Sequence, residues 1–216
     1  MTIQVSAFRS VPPFAQGFVR DLRVRWALEE AGLPYEAVLI DAPIQASAAY
    51  RDWQPFGQVP AYRDGEVELF ESGAIVLRIA GKSEALAPRD PAGRARVTAW
   101  VIAALNSVEP FAQNVALLDV FYAGEAWTKE FRPKAEALLE KRLNALTEWL
   151  RGKEYLEGRF TAGDLIMSDV LRTLGKSGIM ARFPALEAYQ RRCIARPAFA
   201  RAMEAQMQAF REHAAA

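Results

Sequence analysis

Gln54–Tyr62 reads QPFGQVPAY, and Leu69–Leu77, a short way downstream, reads LFESGAIVL. Pro60 stands just where an extended segment should begin. A proline has no N–H to give to a sheet ladder, so it belongs at the start of a strand or on an edge. Asp64-Gly65 then marks a hairpin turn, and Val67–Phe70 is the returning strand. Glu71-Ser72-Gly73 breaks that strand, and Ala74–Ala80 reads as a helix closed by Gly81. This half of the pattern is strand, hairpin, strand, helix.

Toward the N-terminus, Ile3–Phe8 (IQVSAF) alternates apolar and polar residues and reads as a strand. Phe8–Gln16 is a loop holding Pro12 and Pro13. Gly17–Ala31 reads as a helix, with Phe18, Leu22 and Trp26 on one side, stopped by Gly32 and Pro34. Tyr35–Ile40 is a second strand, and a strand–helix–strand unit this short pairs parallel as a rule. A possible short helix, Gln45–Trp53, leads back to the proline-bearing segment. The order is βαβ, a connection, then ββα.

Toward the C-terminus, Lys82–Gly93, with Pro88, Pro91 and Gly93, reads as a linker. Everything beyond has helical period: Arg94–Tyr122 with a possible kink at Pro110, Glu130–Leu150, Leu165–Leu174, Pro184–Arg192 and Pro197–Phe210. Thr161-Ala162-Gly163-Asp164 looks like a capping box with Asp in place of Glu. The expected fold is an α/β N-terminal domain over residues 1–81, a linker over 82–93 and an all-α bundle over 94–216.

Composition narrows the chemistry. The 216 residues carry 27 Lys+Arg against 26 Asp+Glu, so there is no electrostatic footprint for nucleic acid or an anionic membrane. The longest apolar run, Ala99–Leu105, is far short of a bilayer span, and the N-terminus lacks a signal-peptide pattern; the expected location is cytoplasmic. One Cys, Cys193, and one His, His213, preclude an intrachain disulfide and a Cys/His zinc site, and make a His-dependent triad improbable. Any chemistry must use hydroxyls, carboxylates, arginines, backbone amides or a group borrowed from a co-substrate. Cys193 is expected to be a small buried hydrophobe, and Arg20, Arg23, Arg25, Arg191 and Arg192 are expected on solvated faces.

A βαβ-ββα unit with a proline opening its third strand, followed by a helical bundle, is the layout of a thioredoxin-like domain with an all-helical partner. The whole chain resembles a cytosolic glutathione S-transferase, of a bacterial, serine-type-like kind. Five segments carry the resemblance: Val24–Tyr35, Gln54–Ala61, Leu69–Leu77, Phe160–Asp169 and Phe183–Phe199. It implies that glutathione is the co-substrate, with no metal, and that the second substrate is a hydrophobic electrophile. It also implies a homodimer.

Glutathione brings two carboxylates, one ammonium and one thiol. Glu71-Ser72 lies at a strand-to-helix junction, where free helix amides suit a carboxylate. Ser72 adds a donor and Glu71 a negative charge for the ammonium; the resemblance assigns both to the γ-glutamyl end. The alternative for Ser72 is a plain helix cap. The resemblance makes the Val59-Pro60 bond cis. That turn would leave the Val59 amide and carbonyl to pair with the cysteinyl backbone, like an added strand, with Gln58 reaching the glycyl carboxylate.

The thiol must ionise. A free thiol has a pKa of about 8.5, and lowering it by two units takes about 2.7 kcal/mol. One hydrogen bond to the charged sulfur supplies about 1.5–3 kcal/mol and a helix N-terminus roughly 0.3–1. The family takes its hydroxyl from a residue just after the first strand. Here the catalytic candidate is Ser10, with Arg9 adding positive potential; the stretch Val11–Gln16 is longer than in most serine-type members, which leaves backbone amides as the alternative. An electrophile pocket is expected between the loop Arg9–Phe18 and the first bundle helix, with Phe14, Trp100, Ala103, Asn106, Ser107 and Phe111 as liners. Peroxide reduction, isomerisation or dehalogenation on the same pocket, or a non-catalytic binding module, are the competing readings.

Overall fold

The computed structural model describes residues 2–213. Strands β1 (Ile3–Phe8), β2 (Tyr35–Ile40), β3 (Ala61–Arg63) and β4 (Glu68–Phe70) form one sheet in the order β2-β1-β3-β4. β1 and β2 run parallel, from Ile3↔Tyr35 to Phe8↔Ile40, and need the crossover helix α1 (Asp21–Ala31) between them. β3 runs antiparallel to β1 through Val5↔Tyr62, and β4 antiparallel to β3 through Ala61↔Phe70. Short helices α2 (Ala42–Ala46) and α3 (Ala48–Trp53) fill the connection from β2 to β3, and α4 (Ser72–Ala80) follows β4. This is the thioredoxin-like βαβ-ββα order.

Helix α1 begins at Asp21 rather than Gly17. Pro13–Ala15 forms one 3₁₀ turn and Gly17 has a φ of +77°, so the loop reverses before the helix can start. The first two turns of α1 are buried throughout, residues 21–28, because the helix lies against the sheet, α4 and the last helix, α10 (Pro197–Glu212). No solvated face is left there. Arg23 and Arg25, expected in water, are 2% and 3% exposed. Arg25 Nε donates to Asp21 Oδ2 at 2.7 Å and its guanidinium stands 5.9 Å from the Tyr35 ring centroid. Gln206 of α10 donates to Asp21 Oδ1 at 2.7 Å. Buried charge of this kind persists only when paired.

By compactness the chain divides into two units, one up to Leu86 together with the chain from Arg196 onward, the other Ala87–Ala195. Helix α10 is thus a structural part of the first. Trp26 meets Phe199 edge-on at 4.8 Å, and Glu30 accepts two hydrogen bonds from Arg196, at 2.6 and 2.7 Å.

The second unit holds α5 (Pro91–Ala103), α6 (Glu109–Val120), α7 (Thr128–Trp149), α8 (Ala162–Arg172) and α9 (Pro184–Ile194). Between α5 and α6 the chain widens into one π turn, Ala104–Val108. Pro110 has no N–H for the carbonyl four residues back, and the irregular turn sits where that bond is missing. The Pro91–Val120 rod is long and apolar enough to cross a bilayer by length and composition, yet Val97, Val101, Ala104, Val108, Ala112, Val115 and Leu118 are buried inside the unit. Helix α8 is the core, buried from Ala162 to Leu171. Its capping box is present: Thr161 Oγ1 accepts from Gly163 N, and Asp164 Oδ2 accepts from Thr161 N at 2.9 Å. Cys193 is fully buried, and burial and the Asp164 charge push its thiol up to about 12. Arg191 and Arg192 are exposed.

Candidate functional site

The sheet register gathers the candidate residues. β3 reverses against β1, and β4 reverses against β3. The C-terminal end of β1, the N-terminal end of β3 and the C-terminal end of β4 therefore coincide. Ser10 lies two residues beyond β1, Val59-Pro60 leads into β3, and Glu71-Ser72 leaves β4. All three segments reach one end of the sheet. The end of β2 is there too, and Arg9 Nη1 reaches Asp41 Oδ2 at 3.3 Å.

The Gln54–Pro60 loop is held on every side. Gly57 N donates to Gln54 O, Phe56 N to Gln54 Oε1, and Gln45 Nε2 to Gly57 O at 2.6 Å. Gly57 takes the left-handed φ of +63°. The Val59-Pro60 peptide is cis. Beneath it Val59, Ile40 and Tyr50 form a small buried cluster, flanked by Phe8, Val19 and Trp53. Tyr50 Oη donates to Gln58 O at 2.6 Å and lies 2.8 Å from Ser6 Oγ, which accepts from Ala61 N at 2.7 Å. Burial pushes the Tyr50 phenol above its ordinary range, with the Ser6 hydroxyl partly offsetting it, so the phenol keeps its proton. The Gln58 side chain is exposed.

Glu71 has φ +70°, and it is the one non-glycine residue at positive φ among the described residues. Such a conformation costs on the order of 1–3 kcal/mol and persists where the surroundings fix it. Glu71 is exposed, its side chain does not cap the helix, and its carbonyl accepts the first helical bond, from Ile75 N at 3.0 Å. The amides of Ser72, Gly73 and Ala74 precede that bond and have no partner inside the helix. Ser72 is buried, and Arg23 Nη1 lies 3.5 Å from its Oγ. A buried guanidinium thus stands beside the Ser72 hydroxyl at the helix N-terminus.

Ser10 is exposed, and its hydroxyl takes no protein partner among the described residues. The guanidinium of Arg9 is shared with Asp41, which tempers the potential it adds. Phe14 is 45% exposed on the 3₁₀ turn. In the second unit, Trp100, Ala103 and Ser107 line an apolar cleft of about 290 Å³ with Arg142, Trp149 and Met167. Neither Asn106 nor Phe111 lines it; Asn106 is exposed and Phe111 lies 4.7 Å beneath the Arg142 guanidinium.

Three residues of this site escape sequence reading. Arg23 passes for an outward residue because helical period cannot reveal that a helix is covered on several sides. Ser6 and Tyr50 look like ordinary strand and helix residues. The one available signal is Ser6 itself, a hydroxyl between the buried Val5 and Ala7, where a core strand has no use for an unpaired donor.

Among the described residues, no group of three or more His, Cys, Asp or Glu side chains is placed to hold a metal ion. Residues 22–81 match the family model of the glutathione S-transferase N-terminal domain. A glutathione S-transferase of Silene vulgaris is 30% identical over 202 residues, covering 87% of this chain and 93% of its own. One of Hyoscyamus muticus is 29% identical over 195 residues, covering 85% and 92%. In structure, a Burkholderia graminis glutathione transferase with two glutathione molecules bound per subunit superposes with a TM-score of 0.81 at 26% identity, over 94% of this chain and 88% of that one. A Pseudomonas fluorescens family member with two glutathione bound gives 0.81 at 26%, over 94% and 92%.

Proposed function

Because the chain belongs to the cytosolic glutathione S-transferase family, we propose that it binds glutathione at the sheet end described above and transfers it to a small electrophile. The observation that carries this reading is the convergence of Ser10, Val59-Pro60 and Glu71-Ser72 on one end of the sheet, with free helix amides beside them. In it, the γ-glutamyl carboxylate lies on the Ser72 amide and hydroxyl, and the ammonium pairs with Glu71. The cysteinyl backbone pairs with Val59, next to Pro60, and Gln58 takes the glycyl carboxylate. These contacts lie in the region read as the glutathione-binding domain, residues 1–81, which shares its compact unit with α10.

Ser10 donates to the sulfur and holds it as thiolate, its proton leaving to solvent. The thiolate attacks carbon, the S–C bond forms, and the leaving group departs with the bonding pair. Arg9 and Phe14, on either side of Ser10 in the same loop, are the first residues to test for contact with the electrophile. The setting is cytoplasmic and the assembly a homodimer, as the resemblance implies.

A second reading is peroxide reduction, in which two glutathione and one hydroperoxide give glutathione disulfide, an alcohol and water. The two glutathione molecules in the Burkholderia and Pseudomonas relatives favour it, since that reaction consumes two thiols.

Retention on immobilised glutathione and heat of association by calorimetry test the binding. Turnover of an aryl halide against that of an organic hydroperoxide separates the two reactions. Ser10→Ala is expected to lower kcat/KM about ten- to hundred-fold and move its acidic limb to higher pH. Unchanged turnover in that variant removes Ser10 from the mechanism and leaves the thiolate to backbone amides.

A further inference from the structure

Two buried hydroxyls bracket the Val59-Pro60 turn. Ser6 is 0% and Tyr50 4% exposed, and they come from β1 and α3, 44 residues apart. The direction of every hydrogen bond between them is fixed. The Gln58 carbonyl can only accept, so Tyr50 uses its one proton there, at 2.6 Å. The Ala61 N–H can only donate, so it gives its proton to Ser6 Oγ, at 2.7 Å. At the 2.8 Å contact between the hydroxyls, Ser6 is therefore the donor and Tyr50 the acceptor. The result is one ordered chain, Ala61 N–H to Ser6 to Tyr50 to Gln58 C=O.

The chain fixes two peptide planes. Gln58 C=O and Val59 N–H belong to the same planar unit, with oxygen and hydrogen on opposite sides. Pinning the carbonyl oxygen sets where the Val59 N–H points. Pinning Ala61 N–H does the same for the Pro60 carbonyl. The Val59-Pro60 peptide, which carries the Val59 carbonyl, is the one unit between the pinned planes, and Val59 is the residue whose backbone the proposed function offers to the cysteinyl part of glutathione.

We propose that Ser6 and Tyr50 are positioning residues for glutathione: they hold the Val59 amide and carbonyl in the direction that an added peptide strand requires. The proposal rests on the reading that glutathione docks along Val59. An unpinned loop would have to be ordered when the peptide arrives, and that cost would appear as weaker binding.

The test is Tyr50→Phe, which keeps the ring in the Val59 cluster and removes only the hydroxyl, with Ser6→Ala as a second variant. Kd for glutathione is measured by calorimetry, and KM and kcat with an electrophile in excess. Tyr50→Phe is expected to raise Kd and KM about five-fold, the worth of one hydrogen bond, with kcat at saturating glutathione unchanged. A merely structural role would lower the folded fraction, and with it kcat, while leaving Kd of the folded protein as it was. The double variant Ser6→Ala/Tyr50→Phe is expected to cost less than the sum of the two, because both break one chain. Unchanged Kd in Tyr50→Phe overturns the proposal, whether or not Ser6→Ala folds. Wild-type protein without any heat of association overturns instead the reading beneath it.

Discussion

Glu71 combines an unfavourable backbone angle with an exposed carboxylate at the mouth of the candidate site. A residue chosen for stability at φ +70° would be glycine, which adopts that angle without a Cβ penalty. Glu71→Gly is expected to raise stability by about 1 kcal/mol in chemical denaturation, while glutathione affinity falls because the ammonium loses its partner. Glu71→Ala, which keeps the strain and removes the charge, should lose the affinity without the gain; a Glu71→Gly protein that is less stable than wild type contradicts the account. At this scale the sequence was informative where a residue type is tied to a backbone event. Pro60 at a strand entry and Glu71-Ser72 at a helix start were legible. Arg23 and Tyr50 were not, because what matters about them is which distant groups surround them, and local pattern carries no trace of that.

Among the elements, the start of α8 is heavily bonded. Asp164 accepts from Leu156 N at 2.8 Å, Thr161 N at 2.9 Å, Thr161 Oγ1 at 3.0 Å and Tyr189 Oη at 2.9 Å, all buried. Asp164→Ala strands these donors, and unfolding measurements should register a loss of about 3–4 kcal/mol, well beyond the roughly 1 kcal/mol of a surface cap. The β3–β4 hairpin is tied to α4 by a different carboxylate. Burial alone would push the Asp64 carboxyl up; the Lys82 ammonium, the Val67 and Glu66 amides and Arg78 outweigh it and hold the carboxyl well below the ordinary carboxylate range. An acid whose folded pKa is depressed contributes stability above its unfolded pKa of about 3.9 and loses it as pH falls toward the folded value. Asp64→Asn should therefore be less stable than wild type at pH 7, on the order of 2 kcal/mol, and the gap in melting temperature should begin to narrow below about pH 4 and shrink steadily as pH falls toward the folded value. A gap undiminished at pH 2.5 would exclude this origin. Element order, the parallel β1–β2 unit and the β3–β4 hairpin followed from proline, glycine and periodicity. Boundaries shifted where backbone conformation ruled: α1 waits for the Gly17 reversal, α5 starts at Pro91 inside the stretch read as linker, and the π turn has no signature beyond Pro110.

For the molecule as a whole, the telling feature is that the last helix completes the first unit. Phe199, Ala202, Gln206 and Phe210 of α10 are buried, and its partners on α1 include Trp26, Asp21 and Glu30. Each large side chain of this kind contributes roughly 1.5–3 kcal/mol, so ending the chain after Ala195 removes much of a stability that is only about 5–15 kcal/mol to begin with. Such a protein is expected in inclusion bodies or as a species cleaved early by protease around α1; a soluble, cooperatively melting product would contradict the packing described. Synthesis imposes an order on this. The nascent chain emits Trp26 early, and the helix that shelters it emerges from the ribosome only after the whole of Ala87–Ala195. The intervening bundle can close upon itself while the earlier segment is still waiting, exposed, for its final cover. Premature termination before Phe199 would consequently disable the N-terminal half of the protein rather than the helices made after it.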